Sequence, residues 1–398
     1  MDLPRLEDLP PLDGRRVLAR FDFNVPLRDG EVDDDLRIVS ALPTLRWLLD
    51  HGAAVVACSH LGRPKGEPDP GLSMRPVAAR LGDLLQRRIV LAPAVVGPTV
   101  QTRADALGPG DVLLLENLRF EPGEKANDPA FAAALSALGD VYVNDAFGAS
   151  HRAHASIVGP PRWLPSAAGR LLAREVDVLT GLLHDPRRPF LAVLGGAKVS
   201  DKLGVIDALL DRCDTILVGG AMAFTFLLAQ GFAVGDSLVE PERADDCRRL
   251  LATDRVRVPV DVVVAREITA DTETRVVPAS AMPDGWKGLD IGPETAAIFA
   301  DAIAAAGTVL WNGPMGVFEV EPFAAGTHTV ADAVAECRGF TVVGGGDSAA
   351  AIRQMGLADR VDHVSTGGGA SLELIERGDL PGLEALRESR ARTAKGTA

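Results

Sequence analysis

The chain has 398 residues, of which 47% are hydrophobic and 24% are charged, and this composition excludes a collagen-like, disulfide-stapled or largely disordered protein. The formal net charge of −14 argues against nucleic acid or an anionic membrane as the main partner, because both need a basic surface. A small anionic ligand held by a local basic cluster is compatible with this charge.

Short β-branched runs alternate with amphipathic segments, which predicts parallel sheets covered by helices. In the first half, the predicted strands are 17–21, 54–58, 88–91, 112–115 and 141–143. A helix is predicted over 36–49, ending before Gly52. A second one is predicted over 131–138, after the Asn127-Asp128-Pro129 start signal.

In the second half, the predicted strands are 190–194, 215–218, 260–264, 308–311, 341–343 and 363–365. The helical segment 171–183 lies between the two strand sets and is predicted to connect two domains. The uncharged stretch 215–235 is long enough to span a bilayer, but it contains glycines and has Asp at both ends. It predicts a buried strand, a glycine turn and a buried helix over 222–229.

The cysteines are scattered, at Cys58, Cys213, Cys247 and Cys337, without a metal-binding or disulfide spacing. Reduced thiols and a first segment unlike a signal peptide predict a cytoplasmic protein. No interface patch is legible, so we expect a monomer.

The second half ends its strands with four glycine-rich turns, at 195–198, 219–221, 344–348 and 367–371. Glycine allows close backbone approach, and the amides of a following helix can bind an anion. Each turn alone could equally be a tight strand-to-helix connection, but four of them favour a phosphate site.

Two lysines, Lys198 and Lys202, stand four residues apart near a predicted helix start at Asp201, so both could reach the same phosphates. The alternative is a solvated helix face. Asp347, between a glycine turn and a helix, suits a Mg²⁺ ligand, since Mg²⁺ takes few carboxylates and several phosphate oxygens. The alternative is a helix cap provided by Asp347 or Ser348.

The first half ends its strands with basic and amide side chains. Arg37, Arg63, Arg119 and Arg152 are predicted to converge with His60 on one edge, because ligands bind at the carboxyl ends of parallel strands. Guanidinium groups bind phosphate and carboxylate in bidentate fashion. Asp22 and Asn24 could bind hydroxyl groups of the same ligand. The alternative for each arginine is an ordinary solvated side chain.

Nine motifs, in order along the chain, resemble those of the phosphoglycerate kinase family. They are RFDFNVP (20–26), SHLGRP (59–64), LENLRF (115–120), VNDAFGASHRAHAS (143–156), LGGAKVSDK (194–202), GLDIGP (288–293), WNGPMGVFE (311–319), GGGDSAA (344–350) and VSTGGGASLE (364–373). The departures are small: Ala221 replaces a frequent glycine, and Ser348 replaces a frequent threonine.

The resemblance implies an α/β fold with two Rossmann-like domains, each a mainly parallel sheet with helices on both faces, joined by a hinge helix. It implies a phosphoglycerate-binding domain over 1–170, with 380–398 packing back on it, and a nucleotide-binding domain over 171–379 that includes helix 171–183. The two domains would close over their ligands.

The resemblance also implies the site residues. For phosphoglycerate these are Asp22, Phe23, Asn24, Arg37, His60, Leu61, Gly62, Arg63, Arg119 and Arg152. For the nucleotide they are Lys202, Gly288, Glu319, Gly345, Gly346, Asp347 and Ser348, assisted by Gly195, Gly196, Gly368 and Gly369. Asp347 would face Mg²⁺, Lys198 the transferred phosphate, and Glu319 the ribose.

The implied reaction is reversible, Mg²⁺-dependent phosphoryl transfer between 1,3-bisphosphoglycerate and ADP, which gives 3-phosphoglycerate and ATP in glycolysis and gluconeogenesis. Arg37 and Lys202, with Lys198, would stabilise the phosphoryl group in flight. Two alternatives stay open: a phosphotransferase for another small carboxylate, and a nucleotide sensor without turnover. A dinucleotide-dependent dehydrogenase is disfavoured, because no GxGxxG follows the first strand.

Overall fold

The computed structural model describes residues 2–396. The chain divides into two compact units. Unit 1 comprises the residues up to Asp177 together with those from Asp379 onward, and unit 2 comprises Val178–Gly378. The division falls inside one helix, whereas the sequence placed a domain boundary before it.

The first part of unit 1 contains eight strands and seven helices among the described residues. The strands are β1 (Arg16–Arg20), β2 (Leu27–Arg28), β3 (Glu31–Val32), β4 (Ala54–Cys58), β5 (Ile89–Leu91), β6 (Val112–Leu114), β7 (Val141–Asn144) and β8 (Ser166–Ala168). The helices are α1 (Leu36–Asp50), α2 (Arg75–Leu85), α3 (Pro98–Asp105), α4 (Pro122–Ala126), α5 (Pro129–Ser136), α6 (Ala155–Val158) and α7 (Arg170–His184), the last of which runs on into unit 2.

Unit 2 begins within α7 and contributes the next strands and helices. The strands are β9 (Phe190–Leu194), β10 (Thr215–Val218), β11 (Val256–Arg257), β12 (Asp261–Ala265), β13 (Thr274–Pro278), β14 (Lys287–Ile291), β15 (Thr308–Asn312), β16 (Phe340–Gly344) and β17 (His363–Val364). The helices are α8 (Leu203–Leu210), α9 (Met222–Ala229), α10 (Ala244–Leu251), α11 (Pro293–Ala304), α12 (Ala325–Glu336), α13 (Gly346–Gln354) and α14 (Gly369–Arg377). The chain then returns to unit 1 as α15 (Pro381–Gly396).

Short 3₁₀ helices connect many of these elements. They are Leu6–Asp8, Pro70–Leu72, Leu118–Phe120, Phe147–Ala149, Pro160–Arg162, Pro241–Arg243, Glu321–Phe323 and Ala358–Arg360.

Each unit is built on a six-stranded parallel sheet. The strand order is β5-β6-β4-β1-β7-β8 in unit 1 and β11-β10-β9-β15-β16-β17 in unit 2. Strands β4 and β9 are buried along their whole length, because helices cover parallel sheets and leave few polar positions on the inner strands. The predicted α/β class, with parallel sheets and helices in two units, is therefore confirmed.

Three of the predicted strands match the structure in both bounds, those at 54–58, 190–194 and 215–218. The uncharged stretch folds as predicted, into β10 and the buried helix α9. No helix in the described part of the chain is both long and apolar enough to cross a membrane. The side chain of Asp128 accepts a hydrogen bond from Phe131 N at 2.7 Å, so the predicted start of α5 is also confirmed.

One predicted strand was assigned to the wrong kind of sheet. The run at 260–264 forms β12, which pairs antiparallel with β13 and β14 in a separate three-stranded sheet. Its apolar sequence resembles that of a buried parallel strand, and the pairing partners are set by tertiary contacts that the run itself does not encode. The strands β8, β11, β13 and β14 and the β2–β3 hairpin were not predicted.

The segment after Asp379 packs within unit 1. Leu380, Leu383 and Leu386 are each at most 1% exposed. Gly382 N donates a hydrogen bond to Ser150 O at 2.9 Å, and the Ser389 hydroxyl donates one to Leu164 O at 3.0 Å. Helix α15 contacts α6 and β8, so this segment completes the core of unit 1.

A buried carboxyl group holds the start of α7. Asp145, just after β7, accepts a hydrogen bond from Leu172 N at 3.1 Å through Oδ1, while its Oδ2 is buried without a partner in the described chain. The nearby Thr44 hydroxyl accepts from Arg170 N at 2.7 Å. Burial raises the pKa of Asp145 to about 7, although the hydrogen bonds from Thr44 and the α7 amides oppose this shift.

This raised pKa predicts the sign of a stability change with pH. The folded value of about 7 exceeds the unfolded value of about 4, so the native state binds the proton more tightly. The contribution of Asp145 is therefore full below pH 4 and is lost as the pH rises towards 7, by up to about 4 kcal/mol. Asp145→Asn replaces the carboxyl with a neutral amide that resembles the protonated group. Between pH 5 and pH 8, the free energy of unfolding is expected to fall less in this variant than in the wild type, as measured by urea unfolding. An identical pH dependence in both proteins would contradict the assignment.

Candidate active site

The polar motifs of unit 1 follow four neighbouring strands. In the sheet order β6-β4-β1-β7, all pairs are parallel, so the four carboxyl ends lie at one edge. The chain leaves β1 into residues 21–26, β4 into 59–64, β6 into 115–120 and β7 into 145–154. The topology therefore brings the predicted phosphoglycerate residues of these loops to one edge of the sheet.

The closest charged pair at this edge is Asp22 with Arg37. Arg37 Nη1, in the first turn of α1, donates to Asp22 Oδ2 at 2.9 Å. Burial of the Asp22 carboxyl opposes ionisation, but the charges of Arg37 and Arg20 outweigh it and hold the pKa of Asp22 below its usual value. Asp22 is thus an anion that fixes the direction of the Arg37 guanidinium, whose side chain is still 35% exposed.

A second chain of hydrogen bonds orders the loop after β4. Gly62 N donates to Asn24 Oδ1 at 2.8 Å, and Arg119 Nη1 donates to Gly62 O at 2.6 Å. Arg119 Nε is buried and has no partner within the described residues. Burial, together with the charge of Arg20, lowers the pKa of Arg119. This guanidinium therefore retains an unsatisfied donor, which an anionic ligand could accept from.

The remaining predicted residues of this site differ in accessibility. Arg63 and Arg152 are exposed, and Arg152 Nε donates to His151 Nε2 at 2.9 Å. Arg63 makes no hydrogen bond or ion pair with any described residue, so it is available to a ligand. The side chains of Phe23 and Leu61 are buried in the core, so only their backbones could meet a ligand.

One functional candidate was missed. Arg20 ends β1 and is fully buried, where it contacts His60 at the centre of the site. Charged residues are almost never fully buried unless they are paired, so an arginine ending an otherwise apolar strand was the available signal.

Unit 2 contains a cavity of about 630 Å³ at the carboxyl end of its parallel sheet. Among the predicted nucleotide residues, it is lined by Gly196, Gly288, Glu319 and Asp347. The glycine turns after β9, β10 and β16 and the strand β14 contribute to its walls. Its volume is in the range expected for a small-molecule site.

Lys202 is held next to this cavity by an unpredicted residue. Its Nζ donates to Oδ1 of Asn312, the last residue of β15, and Asn312 Nδ2 is buried without a partner in the described part of the chain. Burial lowers the pKa of Lys202 to about 8, while Asp201 and Asp347 oppose the shift. Asn312 and Lys202 thus place one amide and one ammonium donor side by side.

The two predicted lysines do not share a helix face. Helix α8 starts at Leu203, so Lys202 lies at its N-cap position and Lys198 lies in the preceding loop. Lys198 is exposed, which leaves it free to reach a ligand but does not fix its direction.

The third predicted phosphate turn forms the start of α13. Gly345 has φ +93°, a conformation that favours glycine, and the amides of Gly346 and Asp347 lie in the first turn of the helix, where an anion can accept from them. The fourth glycine turn, at 367–371, is close by, because a Cβ on Gly368 would lie 3.9 Å from Gly346 N. The Ser348 hydroxyl points inward, donating to Gly344 O and accepting from Gly313 N at 3.2 Å, so it braces the turn.

Asp347 meets the requirements of a Mg²⁺ ligand. Its carboxylate is exposed, lines the cavity and makes no hydrogen bond or ion pair with the described residues. No group of three His, Cys, Asp or Glu side chains in residues 2–396 could hold a metal. The donor set therefore fits an ion that takes one carboxylate here and its remaining ligands from phosphate and water.

The cavity wall at Gly288 leaves no room for a side chain. A Cβ there would lie 1.9 Å from Cζ of Phe224, and Gly288 N donates to the Ser237 hydroxyl at 2.9 Å. Glu319, the last residue of the motif WNGPMGVFE (311–319), lines the same cavity.

Gly288→Ala is therefore expected to displace Phe224, to destabilise unit 2 by about 1–3 kcal/mol and to weaken nucleotide binding. Calorimetric binding of ATP and thermal unfolding would measure both effects. Gly181→Ala is the control, because its Cβ would have nothing within 4 Å in an exposed helical position. If Gly288→Ala bound ATP like the wild type, the cavity would not be the nucleotide site.

Comparison with known proteins identifies the family. A family model described as phosphoglycerate kinase matches residues 6–378. A phosphoglycerate kinase of Rubrobacter xylanophilus is 57% identical and covers 98% of this chain and 99% of the relative. That of Roseiflexus castenholzii is 54% identical and covers 94% of this chain and 97% of the relative.

Solved structures agree. The structure of phosphoglycerate kinase from Coxiella burnetii matches with a TM-score of 0.87 and 38% identity, over 97% of this chain and 99% of that one. The crystal structure of the enzyme from Pyrococcus horikoshii matches with a TM-score of 0.86 and 32% identity, over 98% of this chain and all of that one. The chain therefore belongs to the phosphoglycerate kinase family and is a glycolytic phosphotransferase that exchanges a phosphoryl group between 1,3-bisphosphoglycerate and ADP.

Proposed function

We propose that the edge of unit 1 formed by Asp22, Asn24, Arg37, His60, Arg63, Arg119 and Arg152 binds phosphoglycerate. The observation that carries this proposal is the collection of unsatisfied guanidinium donors there, Arg63 and Arg119 Nε above all. A phosphate and a carboxylate would each take bidentate hydrogen bonds from such groups. Asp22 would fix Arg37 and accept from a ligand hydroxyl.

The cavity of unit 2 is the proposed site of ADP and ATP. The start of α13 and the amide of Asn312 supply neutral donors for the phosphates, and Lys202 supplies a positive charge. The apolar walls at Leu238, Val317 and Ile268 suit the base. Glu319 would lie near the ribose, with Gly195, Gly196 and Gly369 beside the phosphates.

Mg²⁺ is the proposed companion of the nucleotide, with Asp347 as its one protein ligand. When bound, Mg²⁺ would neutralise charge on the phosphate oxygens. Asp347 also lies close enough to Lys202 to raise its pKa, so the two side chains keep opposite charges beside the same phosphates.

The chemistry of transfer requires positioning and charge neutralisation. The acceptor carboxylate of 3-phosphoglycerate is ionised at neutral pH, so no general base is needed. Arg37 in unit 1 and Lys202 in unit 2 are the proposed groups that stabilise the transferred phosphoryl group, with Lys198 assisting. Transfer needs both ligands at one point, so we infer that the domains 1–170 with 380–398, and 171–379, close over them through helix 171–183.

The setting of the reaction is also proposed. All four cysteines are unpaired, which suits a reducing cytoplasm. The net charge of −14 disfavours nucleic acid and anionic membranes as partners. We infer a cytoplasmic monomer acting on small molecules.

A coupled assay tests the activity of this chain. The protein is mixed with Mg-ATP and 3-phosphoglycerate, and glyceraldehyde-3-phosphate dehydrogenase reports the acyl phosphate through loss of NADH. We expect turnover that stops when 3-phosphoglycerate or Mg²⁺ is withheld. Turnover only with another carboxylate would point to a different acceptor, and ATP binding without turnover would point to a nucleotide sensor.

A further inference from the structure

A buried contact at the centre of the unit 1 edge fixes the protonation of His60. Arg20 Nη2 lies 3.1 Å from His60 Nδ1. A guanidinium group has only donors, so Nδ1 must accept this hydrogen bond through its lone pair. The ring proton of neutral His60 therefore lies on Nε2.

Arg20 is held in place by a chain of buried polar groups. Its Nε donates to the Ser156 hydroxyl at 3.0 Å, and its Nη1 donates to Phe21 O. Ser156 in turn donates to both carboxylate oxygens of Glu124, from Oγ at 2.7 Å and from N at 2.9 Å. Glu124 is 1% exposed, so this carboxylate balances the buried guanidinium through one serine.

The other nitrogen of His60 faces outward. His60 Nε2 has no hydrogen-bond partner among the described residues, and it is absent from the buried polar atoms that lack one. His60 is only 6% exposed, so Nε2 is the polar atom of its ring that is left to meet a ligand.

The charged groups around His60 disfavour an imidazolium ion. Arg20 faces it from β1, Arg37 from α1 and Arg119 from the loop after β6, while Asp22, the anion with the largest opposing effect among the described residues, already pairs with Arg37. Burial and these three cations lower the pKa of His60 well below its usual value, against the opposing effect of Asp22.

We propose that Arg20 is a positioning residue that locks His60 as the neutral Nε2–H tautomer, so that His60 offers phosphoglycerate a directed hydrogen bond and no charge. This proposal rests on the proposed phosphoglycerate site. At that edge, the arginines then supply the positive charge, and His60 supplies a hydrogen bond that orients the ligand. Between pH 5.5 and pH 8, substrate binding then follows the ionisation of the phosphate and not that of His60.

The test is nitrogen NMR of the full chain labelled with ¹⁵N-histidine, first without ligand. In the wild type, we expect the His60 ring signals of a neutral Nε2–H tautomer, unchanged from pH 8 to pH 5.5. An Nδ1–H tautomer, or titration near pH 6.5, would overturn the proposal without touching the proposed function. Addition of 3-phosphoglycerate should then shift the Nε2 signal, and no shift would place the ligand elsewhere.

Variants separate positioning from folding. Arg20→Met is expected to let His60 titrate in this range and to raise KM for 3-phosphoglycerate about fivefold to tenfold at pH 8, the value of one lost hydrogen bond. Arg20→Lys should restore the tautomer in part, because it returns a donor. Ser156→Ala replaces this test if Arg20→Met does not fold. It keeps Arg20 but removes the hydroxyl that accepts from Arg20 Nε, so neutral His60 should become a mixture of its two tautomers.

Tyr142→Phe is the matched control. The Tyr142 hydroxyl donates to Ser156 O at 2.7 Å within the same buried region, but it is not among the hydrogen-bond partners of the Arg20 guanidinium, which are Ser156, Phe21 and His60. Its loss should lower stability and leave both the His60 signals and the pH profile of KM unchanged. Equal changes in Tyr142→Phe and Ser156→Ala would reduce Arg20 to a structural role and overturn the proposal.

Discussion

Replacing Arg37 with alanine is expected to lower kcat about 10²-fold or more, with little change in nucleotide affinity. The guanidinium is held by Asp22 at 2.9 Å and is still 35% exposed, so it keeps donors for the phosphoryl group that we propose it stabilises. Loss of a preoriented donor to a developing charge has an effect of this size. Steady-state kinetics in the coupled assay, with calorimetric binding of ATP, would measure both quantities. An unchanged kcat would remove Arg37 from the catalytic role.

Two controls keep this experiment specific. Arg37→Ala leaves the Asp22 carboxylate buried without its partner, so thermal unfolding of Arg37→Ala is measured beside its kinetics to separate lost catalysis from lost stability. Arg80→Ala is the matched control, since Arg80 pairs with Asp35 at 2.6 Å near the start of the same helix and is 42% exposed. We expect Arg80→Ala to change kcat by less than about twofold.

Replacing Lys202 with alanine is expected to lower kcat/KM for the nucleotide by about 10²-fold to 10³-fold. The partly buried ammonium donates to Asn312 Oδ1 beside the start of α13, where the phosphates are proposed to bind. Asn312 has an unpaired buried Nδ2 that would remain, so binding of ATP should weaken less than turnover. Rapid-quench measurement of single turnovers would separate the two effects, and equal losses would assign Lys202 to binding alone.

The lowered pKa of Lys202 predicts that kcat/KM for the nucleotide depends on pH. Its pKa of about 8 in the free enzyme means that the ammonium charge is present below pH 8 and is lost above it. The kcat/KM for the nucleotide should therefore fall as the pH rises from 8 to 9.5. In Lys202→Arg, which stays charged in this range, the rate should be lower at pH 7 but flat to pH 9.5. A fall of the same size in Lys202→Arg would assign the ionisation to another group.

The sequence predicted the parts of the fold that depend on local pattern. Runs such as 54–58 and 190–194 are buried on both faces, and their bounds follow from where the apolar residues stop. Strand β14 was missed because it carries the buried Asp290 within a short glycine-containing run. Asp290 accepts a hydrogen bond from Gly326 N at 2.7 Å, which is a tertiary contact that no local pattern reveals.

For the candidate sites too, the sequence predicted local features but not tertiary contacts. The motifs predicted which loops carry the phosphate-binding groups, because residue type and strand ends are local properties. They did not reveal that Arg20 would be buried against His60, or that Asn312 would hold Lys202. Both pairs join residues that are far apart in the chain, so their roles depend on which strands become neighbours. Lys198 is exposed in the loop before α8, and its approach to the phosphates stays a prediction.

The return of the chain to unit 1 has a consequence for biosynthesis. All of Val178–Gly378 leaves the ribosome before the segment that starts at Asp379, so unit 2 can finish folding first although its residues come second. Until Leu380, Leu383 and Leu386 emerge, nascent unit 1 keeps an uncovered apolar surface. Emergence of the segment from Asp379 onward thus completes the core of a unit whose first part was synthesised before unit 2, and the interval before it is when chaperones have most to protect.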